Sequence, residues 1–253
     1  MTKVSWGYYN QYPEYATVAE KKAKAKKKIK ALRKKGEHIS PIEIDGRTIA
    51  KSWWGKAWNK NLQEYSDFSN RLSRGRSYVT HGCVIDLQIT EGKIMAQVMG
   101  SGSSVYKCLV EIKPINMKKW THIKKLVGNS ISSITELLAG KFPKELESVF
   151  SLKGKGLFPD PEEFSPNCSC PDYAQFCKHL AAVIYGVGNR LDSAPELLFT
   201  LRGIDSNELV AEAIADHKDN LIAKAEKIKS KRLIKLDEKE LSTMFDIDFS
   251  MPN

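Results

Sequence analysis

Within twelve residues the chain places three cysteines and a histidine, Cys168-Ser-Cys170-Pro-Asp-Tyr-Ala-Gln-Phe-Cys177-Lys-His179, and no other feature restricts its fold as strongly. Three thiolates and one imidazole match in number and type the ligands of a structural tetrahedral zinc site. Residues i and i+2 face the same way on an extended strand, or converge at a turn, so Cys168 and Cys170 can share one ion. A six-residue connector carrying Pro171 turns the chain back. Cys177 and His179, at the first turn of a helix running into Leu180-Ala-Ala-Val-Ile-Tyr, then close the tetrahedron. A disulfide within C-x-C would leave Cys177 and His179 without a role. An imidazole ligand with no fourth cysteine nearby argues against an iron–sulfur cluster. One structural Zn2+ is the expected cofactor, and with four protein ligands it keeps no open position for a reacting water. The odd total of five cysteines speaks against a disulfide framework and for a reducing compartment, read here as the cytoplasm.

The remaining chain reads as an α+β protein. From Tyr78 the apolar period becomes two: Cys83, Ile85, Leu87 and Ile89 fall on one face, Val84, Asp86, Gln88 and Thr90 on the other. Glu91-Gly92 makes a hairpin turn, Ile94, Ala96 and Val98 continue the apolar face, Gly100-Ser-Gly-Ser-Ser turns again, and Tyr106, Cys108, Val110 and Ile112 form a third strand. The expected architecture is this central antiparallel β-meander with helices, plus a small ββα-like zinc finger packed in a helical C-terminal half. Helices are expected at about 117–127, 130–139, 143–150, 176–190, 194–201 and 206–229, the last opened by an Asp205/Glu208 capping box. The chain divides into a basic, aromatic-rich region over 1–76, sheet and helices over 77–150, the finger over 151–190, C-terminal helices over 191–235 and an acidic, apolar tail over 236–253. In that tail Phe245, Ile247 and Phe249 alternate with acids in the manner of an extended strand added to a sheet edge, docked either on this chain's own surface or in a partner's groove.

Charge is distributed unevenly, with 18 bases against 7 acids in residues 1–76 and 22 against 23 in the remainder. Thr17 and Glu20 form a capping box for a helix that ends before Gly36. Ten of the fifteen residues Lys21–Lys35 are basic, leaving Val18, Ala25, Ile29 and Leu32 as a thin apolar stripe. A polyanion such as nucleic acid is the expected partner of this segment, through Lys21, Lys24, Lys27, Lys28 and Arg33. Arg71, Arg74 and Arg76 around Gly75 read as a basic loop whose backbone can approach a phosphate. Trp53, Trp54 and Trp58 fit one face of a helix and are expected mainly in the core; with Tyr8, Tyr9 and Tyr12 they are also candidate stacking platforms.

No catalytic signature emerges, so the chain reads as a non-enzyme without a small-molecule substrate. Gly100-Ser-Gly-Ser-Ser lacks the Lys and Ser/Thr of a phosphate-binding loop, His81 and His122 have no nucleophile at a telling spacing, and Asp160, Glu162 and Glu163 read as a solvated loop. The longest uncharged run, Ile94–Tyr106, is 13 residues, too short and polar for a membrane span, and the N-terminus lacks the apolar core of a secretory signal.

The spacing C-x-C, six residues, C-x-H resembles the SWIM-type zinc finger. The run Cys-Ser-Cys-Pro-Asp-Tyr…Cys-Lys-His-Leu-Ala-Ala-Val-Ile-Tyr is similar to bacterial members, as are Trp53-Trp-Gly-Lys-Ala-Trp, Asn70-Arg-Leu-Ser-Arg-Gly-Arg-Ser-Tyr and Pro195-Glu-Leu-Leu-Phe-Thr-Leu-Arg-Gly203. The resemblance implies a ββα finger that binds DNA or protein, in proteins of the kind associated with SWI/SNF-type helicases. It makes DNA a more natural partner than RNA. The two functional readings are a nucleic-acid-associated factor whose N-terminal bases contact phosphates, and an adaptor that docks on a larger ATPase, helicase or nuclease.

Overall fold

The computed structural model describes residues 17–63, 69–130, 142–172 and 174–211, with residues 214, 215, 218, 219, 222 and 223 beyond them. The aromatic opening with Tyr8, Tyr9 and Tyr12, nearly all of the helix expected at 130–139, most of the 206–229 helix past residue 211 and the tail 236–253 lie outside the described residues.

The elements run α1 (Val18–Lys34), α2 (Trp53–Gln63), α3 (Ser69–Thr80), β1 (Val84–Thr90), β2 (Lys93–Met99), β3 (Val105–Ile112), α4 (Met117–Ser130), α5 (Leu146–Phe150), β4 (Phe164–Cys168), α6 (Lys178–Leu191) and α7 (Leu197–Leu201). The four strands form one antiparallel sheet in the order β1-β2-β3-β4. The α+β class and the meander expected from the sequence are thus present. A bulge at Ile85 breaks strict alternation, because Val84 pairs with Val98 and Asp86 with Gln97. Val84 and Ile85 are therefore both buried. The fourth strand comes from the cysteine segment: Cys168 pairs with Cys108, Pro166 with Val110 and Phe164 with Ile112. The sheet thus crosses the boundary expected at residue 150, and its last strand carries the first metal ligand. Outside β1 the extended segment around Ser40–Ile42 runs alongside, with Ile42 N–H donating to Val84 O (3.1 Å) and Leu87 N–H to Ser40 O (2.9 Å).

Helix α6 is apolar around its whole circumference, and every residue from His179 to Gly188 is buried. Such a helix has to be covered on all sides. The sheet covers one side, and α2 and α3 the other. Trp58 Nε1–H donates to Ile184 O (3.0 Å), Trp54 Nε1–H to Leu191 O (2.7 Å) and Trp53 Nε1–H to Phe142 O (2.7 Å). Asp192, just past α6, accepts from the backbone N–H of Lys51 (2.6 Å) and Ser52 (3.0 Å), placing a carboxylate at the N-terminus of α2. Trp58 therefore stands in the core and Trp53 and Trp54 pack half-buried against it; Trp54 and Trp58 clasp the helix that bears the finger.

Residues 70–77, expected as a basic loop, are helical within α3. The reason lies at Gly75, which faces α6 so closely that a Cβ there would overlap Ala181, backbone included. The glycine serves helix contact rather than phosphate approach. Val18 also departs from expectation: it is 48% exposed, and the docked face of α1 consists of Lys21, Ala25 and Leu32 with Ile29 alongside. Thr17 and Glu20 do form the capping box.

Two of the acids at 160–163 belong to the fold, while Glu162 is exposed as expected. Asp160 and Glu163 bracket a 3-10 turn, both pair with Lys119, and Glu163 holds the fully buried Arg202 at 2.8 Å. Arg202 also donates to Lys113 O (2.8 Å), so α7, the exit of β3 and the entry to β4 meet at one guanidinium.

Helix propensity alone makes Gly75→Ala stabilising by about 1 kcal/mol in an exposed helix. Contact with Ala181 reverses the sign. We expect Gly75→Ala to destabilise the protein by about 1–3 kcal/mol, read by chemical denaturation. A stabilised variant would show that α3 and α6 are not in contact there.

Candidate metal centre

Strand β4 delivers Cys168 and the chain turns to present Cys170. Ser169 is fixed on β3 at this turn, its N–H donating to Lys107 O (3.0 Å) and its Oγ accepting from Lys107 N–H (2.9 Å). Cys177 is the N-cap residue of α6, and His179 lies in that helix's first turn. The connector between them is tied down at Asp172, whose carboxylate takes Arg71 of α3 in a two-pronged pair (2.8 and 3.0 Å).

The four predicted ligand residues converge. Their donor atoms all lie within 4.8 Å of one another; His179 Nδ1 is 3.9 Å from Cys168 Sγ and 3.8 Å from Cys177 Sγ. Tetrahedral zinc with bonds of about 2.0–2.3 Å needs donors roughly 3.5–3.8 Å apart, so the arrangement fits zinc with little adjustment. Cys177 and His179 are buried, Cys168 and Cys170 half-buried. The imidazole is held by rings, Tyr106 at 4.5 Å and Tyr78 edge-on at 5.4 Å. Its buried Nε2 finds no hydrogen-bond partner among the described residues. Packing, rather than the usual carboxylate or carbonyl, therefore sets the orientation that turns Nδ1 toward the sulfurs.

A fourth sulfur lies beside the four ligands. Cys108, buried on β3, has its Sγ 3.6 Å from that of Cys168. Sequence reading places Cys108 on the apolar face of a strand but has no means of pairing that strand with one some sixty residues later. Crowding of sulfurs raises the thiols. Cys168 is pushed up to about 12, first by its contact with Cys108; Cys177 is pushed up to about 11 by Cys168 beside it and by burial; Cys170 is raised, chiefly by burial. A divalent cation reverses this, because the thiolates it binds must shed their protons.

The residues expected to meet phosphate have different fates. Lys24, Lys27, Arg33 and Arg74 are exposed and Lys28 is half-buried. Lys21 is buried, its ammonium 5.8 Å from the centre of the Tyr78 ring. Lys178, beside the metal ligands, reaches the same ring at 6.0 Å. Arg71 is engaged by Asp172, and Arg76 lies over Tyr185 at 5.4 Å. Arg71 thus supports the finger's connector, while Arg74 and Arg76 stay exposed on α3, which is a helix and not a loop.

Residues 156–186 match the family model of the SWIM zinc finger. An uncharacterized protein of Mycobacterium tuberculosis is 36% identical over 172 residues, covering 68% of this chain and 62% of that protein. The chain thus spans less than two thirds of the length of the curated relative it matches. No solved structure matches the chain. With the geometry above, the match establishes a SWIM-type zinc finger that holds one structural Zn2+ through Cys168, Cys170, Cys177 and His179. Among the described residues, no helix is long and apolar enough to cross a membrane.

Two outcomes are expected. Metal analysis should give one zinc per chain, and Cys177→Ser should abolish retention against a chelator while raising amide exchange over 164–180 more than in the second half of α6. Because binding displaces about three thiol protons at neutral pH, apparent zinc affinity should rise by up to about a thousandfold from pH 7 to pH 8 and fall in acid, as read by chelator competition.

Proposed function

We propose that the chain is a non-enzymatic, nucleic-acid-associated factor in which zinc maintains the finger and α1 contacts phosphates. One observation carries the reading: α1 docks by a narrow face and leaves Lys24, Lys26, Lys27, Lys30, Arg33 and Lys34 exposed on the remainder. Among the described residues no carboxylate lies within ion-pair distance of these six. A helix face of this charge density follows a nucleic-acid backbone without reading bases. A non-catalytic role for the metal agrees with four protein ligands filling its tetrahedron. The SWIM resemblance makes DNA the first probe, ahead of RNA, and cytoplasmic residence keeps the thiols reduced.

A second reading has its own observation. The outer face of the sheet carries a shallow groove of about 470 Å³ lined by Met95, Leu109, Lys107 and Asn167, with Met95 43% exposed. An adaptor docking on a larger protein such as a SWI/SNF-type helicase would use a face of this kind.

If about three to five side chains reach phosphates, log affinity for plain duplex DNA should fall against log salt with a slope of about −3 to −5. Replacing Lys24 and Lys27 by Ala should reduce that slope by about two, and Arg74→Ala by about one. Arg71→Ala should leave the slope unchanged and speed zinc loss, because its partner is Asp172. A slope near zero would favour the adaptor.

A further inference from the structure

We propose that Cys108 and Cys168 form a peroxide-sensitive pair whose oxidation to a cross-strand disulfide withdraws one of the four zinc ligands. The two residues face each other in the β3–β4 ladder. Hydrogen bonding in an antiparallel pair alternates, and the neighbouring Lys107/Ser169 pair carries a ladder bond from Ser169 N–H to Lys107 O. Cys108/Cys168 therefore occupies the non-hydrogen-bonded position, where Cα atoms are about 4.5 Å apart and side chains stand closest. That spacing lies within the range that disulfides span, roughly 4.4–6.8 Å. The sulfurs, 3.6 Å apart, need to approach by only about 1.5 Å to reach bonding distance.

Burial orders the two steps. Cys168 is half-buried and meets an oxidant first; Cys108, 3% exposed, waits behind it. The Cys168 sulfur attacks hydrogen peroxide: an S–O bond forms, the O–O bond breaks, and hydroxide leaves to take a proton from solvent. The Cys108 sulfur then attacks the sulfenic sulfur: the S–S bond forms, the S–O bond breaks, and the departing oxygen takes the Cys108 thiol proton as water. Each sulfur gives up one electron, and peroxide is reduced to two waters. Cys168 ceases to be a thiolate donor, leaving Cys170, Cys177 and His179, too few to fill the tetrahedron. The new bond joins β4 to β3, so the sheet persists while the connector through Asp172 loses its metal anchor. Reduction by a dithiol restores the donor.

The test uses the full chain loaded with one zinc and treated with one equivalent of hydrogen peroxide. Zinc release is followed with a chromophoric chelator, and cross-linked peptides are mapped by mass spectrometry without reduction. We expect one zinc released per disulfide, a peptide joining Cys108 to Cys168, and recovery of zinc binding after dithiothreitol. In Cys108→Ala, tenfold excess peroxide should raise the sulfinic acid fraction at Cys168 at least threefold and lower recovery correspondingly. Release with Cys108 still alkylatable, or a main product joining Cys168 to Cys170 or Cys177, would overturn the proposal. The wild-type mapping decides alone if the variant does not fold.

Discussion

Burial of α6 on every side is the constraint from which the remaining structure follows. A fourteen-residue helix with no solvent face requires a sheet on one side and helices on the other. The indole N–H groups of Trp54 and Trp58 donate to carbonyls of this helix or its end, contacts that only closely seated α2 can make. Its first turn carries Cys177 and His179, so the metal joins the start of the core helix to the end of the edge strand. Zinc here joins two parts of one core, unlike the metal of a free-standing finger.

Electrostatics divides the basic residues into two groups. Arg71, Arg190 and Arg202 are tied to the backbone or to acids and act as struts; Arg202 is fully buried against Glu163. Breaking such a buried pair costs far more than a surface pair contributes. The exposed row on α1 has no comparable structural tasks among the described residues, and it gives the molecule its field.

Legibility in the sequence followed distance along the chain. The zinc ligands lie within twelve residues, so their spacing carries their geometry, and the meander's hairpins are equally local. Long-range partners were not legible. Residues 70–77 look like a loop because Asn, Ser and Gly favour one, and only Ala181, more than a hundred residues away, explains why a glycine stands at position 75 of a helix. Cys108, the Arg71–Asp172 pair and the Glu163–Arg202 pair were missed for the same reason. In each case a residue ordinary in its own segment acquires its role from a partner in another.

The sheet's two margins have a consequence for behaviour at high concentration. A strand with free N–H and C=O groups is a template on which other copies can add. At β1 the segment around Ser40–Ile42 already occupies that position. At β4 the exposed margin is five residues long, includes Pro166, which has no N–H to offer, and runs straight into the metal-bound turn. Neither margin is long, regular and open, so the native fold is poorly suited to seed edge-to-edge aggregation.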